Sequence, residues 1–177
     1  NLRNSSLTTC KLMESLFLIV LENALKELND HRMEEGNSLE KDLFMRIEKI
    51  KEQEENILAL EPNRKKRIKD EIHQLLDKHV GKENIDNNRM EQELIYYMEK
   101  IDIHEEQIRL RQHCEYFKDI LNSPENGKGK KLSFVLQEIG REINTTGSKA
   151  YDAEIQKCVV KMKDELEKAK EQVLNVL

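Results

Sequence analysis

Tryptophan is absent from this 177-residue chain, proline occurs only twice and glycine six times. Strand-forming runs are almost missing too, so no sheet is expected. The 37% of charged residues then points to an all-α protein with long helices. Long apolar runs are also lacking. The run from Leu16 to Leu21 falls far short of the roughly 20 residues that a membrane-crossing helix needs, so no membrane partner is expected. Cysteine is scarce, and Cys10, Cys114 and Cys158 form no Cys-x-x-Cys pair. Neither a disulfide framework nor a zinc site is suggested, and a reducing cytoplasm fits best. A glycine-rich phosphate loop, a His-Glu-x-x-His helix and a serine nucleophile elbow are all missing, which removes NTPase, zincin and serine-hydrolase chemistry. Basic excess is missing as well. With a net charge of −5, any nucleic-acid contact must come from a local patch or from other parts of an assembly.

What is present is helical text, in a length that suits one domain or one domain with an extended arm. Residues Asn1 to about Thr9 are polar and read as a tail. From Leu12 to about Glu35 the apolar residues Leu16, Phe17, Ile19, Val20, Leu21, Ala24, Leu25 and Leu28 exceed one stripe, so this helix is deeply packed or sits between neighbours. Leu39, Leu43, Ile47, Ile50, Ile57 and Leu60 then carry near-heptad spacing, interrupted where Glu54 takes an apolar slot. Pro62-Asn63 reads as a short turn, after which Ile68, Ile72 and Leu75 resume the pattern. The expected product is a long antiparallel helical hairpin or coiled-coil arm. Arg64-Lys65-Lys66-Arg67 at its tip is a basic cluster that either touches RNA or is a solvated helix start. The division expected is 1–36 as a buried N-terminal helix linking to an upstream domain, 37–85 as the helical hairpin arm, and 86–177 as a C-terminal helical bundle for catalysis and RNA binding.

In the bundle, Asp86 to Asn88 offer a cap for a helix through about Ile101, and Asp102 with Glu105 resembles a capping box for a helix over 103–121. On that helix Ile103, Gln107, Leu110, Cys114, Phe117 and Leu121 form the buried stripe. Asp102, Glu106, Arg109 and His113 run in a parallel line at its border. The bland account of that line is an intrahelical Glu106–Arg109 pair. Asn122 to Lys130 is a loop with Lys128, Lys130 and Lys131 close together. The last helix carries Ile155, Val159, Met162, Leu166, Ala169, Val173 and Leu177 as a packing seam.

The densest non-repetitive polar stretch is Gly129 to Glu154. Leu132, Val135, Leu136, Ile139 and Ile143 make one buried stripe, while Glu138, Glu142 and Arg141 share another surface with Lys131 and Phe134. The helix is expected to stop near Asn144, with Thr145-Thr146-Gly147-Ser148-Lys149 forming a turn, Ser148 capping the next helix, and the whole making a phosphate seat.

Here the residues resemble a family. The stretch is similar to the C-terminal signature of the YicC/YloC bacterial endoribonucleases, sharing Gly129, Lys131, Leu132, Phe134, Leu136, Gln137, Glu138, Arg141, Glu142, Asn144, Thr145, Gly147, Ser148 and Lys149. It departs at Ser133, Gly140 and Thr146, where the family usually has Asp, Asn and Leu. The likeness extends upstream through Lys100 to His113. It implies an endoribonuclease of bacterial RNA turnover, an α/β domain preceding this chain, and a cytoplasmic homo-oligomer, a hexamer, that encloses single-stranded RNA. No DNA partner is implied.

Cleaving a phosphodiester needs a poised nucleophile, neutralisation of charge growing on phosphorus, and a proton for the leaving oxygen. The candidates are His113, Glu138 and Glu142 for catalysis. Arg109, Lys131, Arg141, Asn144, Ser148 and Lys149 would bind phosphate and RNA, and Glu106, Glu138, Glu142 and Asp152 would hold Mg²⁺ or Mn²⁺. The competing expectation is a non-enzymatic oligomerisation or adaptor module in an RNA-decay or stress-response assembly, its polar line serving as ion pairs that fix helix register.

Overall fold

The computed structural model describes residues 2–79, 81, 86–124 and 127–176, with side chains at 13 and from 16 onward. Five helices follow one another: α1 (Leu2–His79), α2 (Asn87–Lys100), α3 (His104–Asn122), α4 (Gly129–Ala150) and α5 (Ala153–Val173). No strand occurs among the described residues, so the all-α reading holds. No described helix is long and apolar enough to cross a membrane. Two compact units divide the chain, Asn1–Lys41 and Asp42–Leu177.

The first unit is helical from Leu2, including the residues expected as a tail, since no proline or glycine interrupts the chain before Gly36. At Gly36 the helix continues, because a helical glycine costs only about 1 kcal/mol relative to alanine. The large apolar side chains described from Met13 to Met33 stay exposed, with Phe17 at 67% and Leu21 at 44%, so the expected burial of this helix is corrected.

In the second unit, α1 presents Leu43, Ile47, Ile50 and Ile57 to the core. Glu54, the break in their pattern, is buried and accepts from Arg111 of α3 at 2.7 Å. Arg46 of α1 reaches Glu165 of α5 at 2.9 Å, and Lys118 of α3 reaches Glu48 at 2.9 Å. The whole stripe read on α3 is buried, as is the α5 seam from Ile155 to Val173; Leu177 lies outside the described residues. Helix α3 packs on α4, and α4 on α5. The cap read at Asp86 is made, its carboxylate accepting from the N–H groups of Asn88 and Arg89.

The antiparallel hairpin is a correction. Pro62 lies inside α1, and no turn forms at Pro62-Asn63. A proline within a helix costs about 3 kcal/mol through a lost hydrogen bond and a clash. Arg64, half a turn on, more than offsets this. Its guanidinium is 1% exposed and donates to both Glu61 oxygens at 2.7 Å, to the Ile101 carbonyl at 2.8 Å and to the Ala150 carbonyl at 2.8 Å. Charge-assisted bonds of this kind contribute roughly 1.5–3 kcal/mol each. Ile101 ends α2 and Ala150 ends α4, so the cation also sits where two helix dipoles are negative. Lys65 reaches Asp102 at 2.7 Å, and Arg67 pairs with Asp152. The basic run is therefore neither a hairpin tip nor a solvated helix start; three of its four cations clamp the α2–α3 and α4–α5 junctions.

Candidate functional site

Helix α3 begins one residue later than its expected cap. Ile103 is the N-cap and makes no side-chain cap bond, while the Asp102 carboxylate is drawn to Lys65. Burial pushes that carboxyl up, but Lys65 and the His104 side outweigh it and hold it below the ordinary range. Of the polar line read on α3, Asp102 belongs to the clamp and Glu106, Arg109 and His113 to the α3–α4 edge.

Helix α4 overturns the expected phosphate turn. It continues unbroken through Asn144 to Ala150, and its reversal is made by Tyr151 in the left-handed region at φ 45°. Thr145 and Ser148 return their hydroxyls to the carbonyls of Arg141 and Asn144, at 3.1 and 3.0 Å, so both are satisfied within the helix. Thr146 is buried. Gly147 serves close packing rather than a turn, since a Cβ there would stand 3.1 Å from Val159 Cγ1. Ser148 caps nothing. The cap of α5 is Asp152, whose Oδ1 accepts from the N–H groups of Glu154 and Ile155 at 2.9 and 3.0 Å.

The straight α4 carries Glu138, Glu142 and Lys149 along one edge against α3. Lys149 Nζ donates to Glu106 Oε1 at 2.7 Å, which ties the two helices together. Glu142 is buried, and burial pushes its carboxyl up. Arg109 pulls in the opposite direction, the Glu106 charge pushes further up, His113 lowers it, and Glu138 raises it. Four of the expected site residues from α3 and α4 thus act on a fifth, Glu142. The intrahelical partner of Arg109 is Glu105, not Glu106. Arg141 lies on the exposed side and meets Glu138 at 3.6 Å. Asn144, Ser148 and Lys131 are exposed on α4.

Polar satisfaction at this edge is incomplete. Glu106 Oε2, Gln107 Nε2 and Thr146 Oγ1 are buried without a hydrogen-bond partner. Gln107 and Thr146 were not candidates, although a glutamine inside an apolar stripe is a signal for a buried polar group.

The four-carboxylate metal set does not assemble. Asp152 is committed to the α5 cap and to Arg67, and its carboxyl, pushed up by burial, is held below the ordinary range by the Ile155 N–H, Arg67 and the Glu154 N–H. No group of three or more His, Cys, Asp or Glu among the described residues is arranged to hold an ion. What fits is smaller: Glu106 and Glu142 repel each other in a buried setting, and one Glu106 oxygen lacks a partner. Mg²⁺ commonly takes only one or two protein carboxylates and completes its shell with water and phosphate oxygens. The Lys128 ammonium is also spoken for, bonding the Leu121 and Ser123 carbonyls at the end of α3.

Residues 57–177 match the family described as endoribonuclease YicC-like, C-terminal. The chain is similar to the probable endoribonuclease YicC of Clostridioides difficile (strain 630), with 35% identity over 169 residues, covering 93% of this chain and 56% of that protein. It is also similar to the probable endoribonuclease YicC of Haemophilus influenzae (strain ATCC 51907 / DSM 11121 / KW20 / Rd), with 39% identity over 93 residues, covering 52% of this chain and 32% of the relative. It spans between about a third and just over half of the length of these relatives. The match covers the last part of α1, from Ile57, and all of α2 to α5, and by it the chain belongs to the YicC family.

Proposed function

We propose that the α3–α4 edge is the cleavage centre of an endoribonuclease acting on single-stranded RNA. The observation that carries the reading is Glu142, a buried carboxyl pushed up by its surroundings and acted on by Arg109, Glu106, His113 and Glu138. Groups perturbed by burial together with specific charge partners gather at functional sites. The names of the YicC relatives support the same activity.

In this mechanism Arg109 and Arg141 hold the phosphate oxygens, with Lys131 and Lys149 adding positive charge along α4. Asn144 and Ser148 offer neutral hydrogen bonds to the strand. His113 takes the proton of the attacking oxygen, and Glu142, whose carboxyl burial pushes up, passes a proton to the leaving oxygen with Glu138 at the rim. Glu106, with Glu142 once it has given up its proton, would hold Mg²⁺ or Mn²⁺, and such an ion, when bound, offsets the negative charge that builds on the phosphate. The reading also takes the protein as a cytoplasmic homo-oligomer, a hexamer, working in RNA turnover. Support for association between copies is the apolar row of the first unit, which is exposed among the described residues.

The test is cleavage of an end-labelled single-stranded RNA with Mg²⁺ or Mn²⁺, beside an EDTA control and the Glu142→Gln and His113→Ala variants. Each variant is expected to cut about 10²- to 10⁴-fold more slowly, as loss of a proton-transfer group does. Cutting that persists in EDTA removes the ion and leaves His113 and Glu142 with 2′-hydroxyl attack. If unmodified protein of verified oligomeric state cuts nothing, the adaptor reading replaces this one.

A further inference from the structure

Helix α4 carries a second row beside the Glu138–Glu142–Lys149 edge. Lys130, Phe134, Gln137, Arg141, Asn144 and Ser148 recur at four- and three-residue intervals, and all are exposed. On an unbroken helix this row is ~27 Å long. Its last member, Ser148, joins the row because α4 does not stop at Asn144. Phe134 is the one apolar member, 54% exposed, and the Lys130 ammonium lies 6.0 Å from its ring centroid.

The neighbours of Phe134 decide what it suits. One turn away on either side stand Lys130, Lys131, Gln137 and Glu138, none of them apolar. An aromatic anchor at a protein interface normally lies inside an apolar patch ringed by polar residues. An exposed ring flanked along its helix by two cations, an amide and one acid is instead the pattern of a single-strand binding track, where the π-face takes any base and neighbouring cations follow the phosphates. Phe134 lies ~12 Å along the helix axis from Glu142, close enough for one strand to occupy both.

Resting on the endoribonuclease reading, we propose that Phe134, with Lys130, is a base-stacking subsite that holds single-stranded RNA along the outer face of α4 and leads it past Arg141 to Glu142. The subsite takes a nucleobase of any identity and does not read sequence.

The experiment is binding of a fluorescently labelled oligouridylate, measured by anisotropy over a range of salt in EDTA and in a Glu142→Gln background, with oligomeric state checked by light scattering. Phe134→Ala is expected to weaken binding about 5- to 150-fold, the range found for losing one stacked base. The dependence on salt should keep its slope, because no phosphate contact is lost, whereas Arg141→Ala should lower that slope by about one unit. Phe134→Leu keeps apolar bulk without a π-face and should match Phe134→Ala. Because the chain has no tryptophan, Phe134→Trp places a single reporter there, and its emission should fall when oligouridylate binds. Retained affinity in both Phe134→Ala and Phe134→Leu overturns the subsite, even where the unmodified protein still cleaves RNA. Loss of the native assembly in Phe134→Ala with RNA affinity unchanged overturns it in favour of an interface between copies. If the unmodified protein binds no oligouridylate, the subsite and the ribonuclease reading fall together.

Discussion

Two groups of acids and bases in the second unit are built from the same residue types and do opposite things with them. At the clamp, Arg64 meets Glu61 and two helix-end carbonyls, Lys65 meets Asp102, and Arg67 meets Asp152. Its Asp102 and Asp152 carboxyls are held below their ordinary range. At the α3–α4 edge, Glu106 and Thr146 keep unpartnered oxygens, and Glu142 is pushed up. A buried polar network that is fully paired rigidifies a fold, while a partly paired one is costly and persists where something else completes it. The first group therefore reads as structure and the second as function, although each has buried members and both join helices. Arg64 also relates the two, because its carbonyl partners lie at the end of α2, just before α3, and at the end of α4, and α3 and α4 carry the second group.

The comparison breaks most readily at Arg64. Arg64→Ala leaves Glu61 buried without its cation and two carbonyls without donors, and should cost about 3–5 kcal/mol, as removal of one partner from a buried pair does. Urea denaturation checks this. A loss below about 1 kcal/mol would mean that the clamp is not the stabilising group. A smaller effect belongs to Asp152→Ala, which removes the α5 cap and the Arg67 pair and should cost about 0.5–2 kcal/mol from the cap alone. Its pH dependence is fixed in sign. Since the folded carboxyl is depressed, its contribution is present above the ordinary value of 3.8 and is lost as pH falls through the folded value. The gap between wild type and variant should be constant near neutrality and close in acid.

Apolar periodicity made the helices legible, and the stripe from Ile103 to Leu121 and the α5 seam were read residue by residue. What the sequence hid were choices settled by distant partners. Pro62-Asn63 has the local chemistry of a turn, and only the bonds from Arg64 to Ile101 and Ala150, far along the chain, make a helix cheaper there. Thr145 to Lys149 likewise has turn composition, yet Val159 of α5 requires Gly147 for close approach, and Lys149 is held by Glu106. By sequence Asp152 falls inside a helix capped by Ser148, where an acid is a candidate donor, and only the later start of α5 makes it a cap. At the α3–α4 edge the sequence supplied Glu106, Arg109, His113, Glu138 and Glu142, because polar residues bordering a buried stripe are visible in the period. It did not supply the orphaned atoms of Gln107 and Thr146, which depend on how two helices meet.

Glu142→Gln gives the smallest stability change and the one of opposite sign, so it sharpens the contrast most. The folded protein favours the protonated carboxyl: burial pushes it up, and Glu106 adds to that. Stability associated with this group is therefore fully present below its ordinary value of 4.5 and declines as pH rises through the higher folded value. A neutral amide does not pay that electrostatic penalty. The variant should match wild type in urea denaturation in acid, below that value, and exceed it at neutral pH, while its cleavage rate falls. A structural ion-pair member would behave as Asp152 does, with a loss at neutral pH that vanishes in acid. Equal or lower stability of Glu142→Gln at neutral pH would place Glu142 with the clamp residues and remove the physical ground for treating the α3–α4 edge as a site.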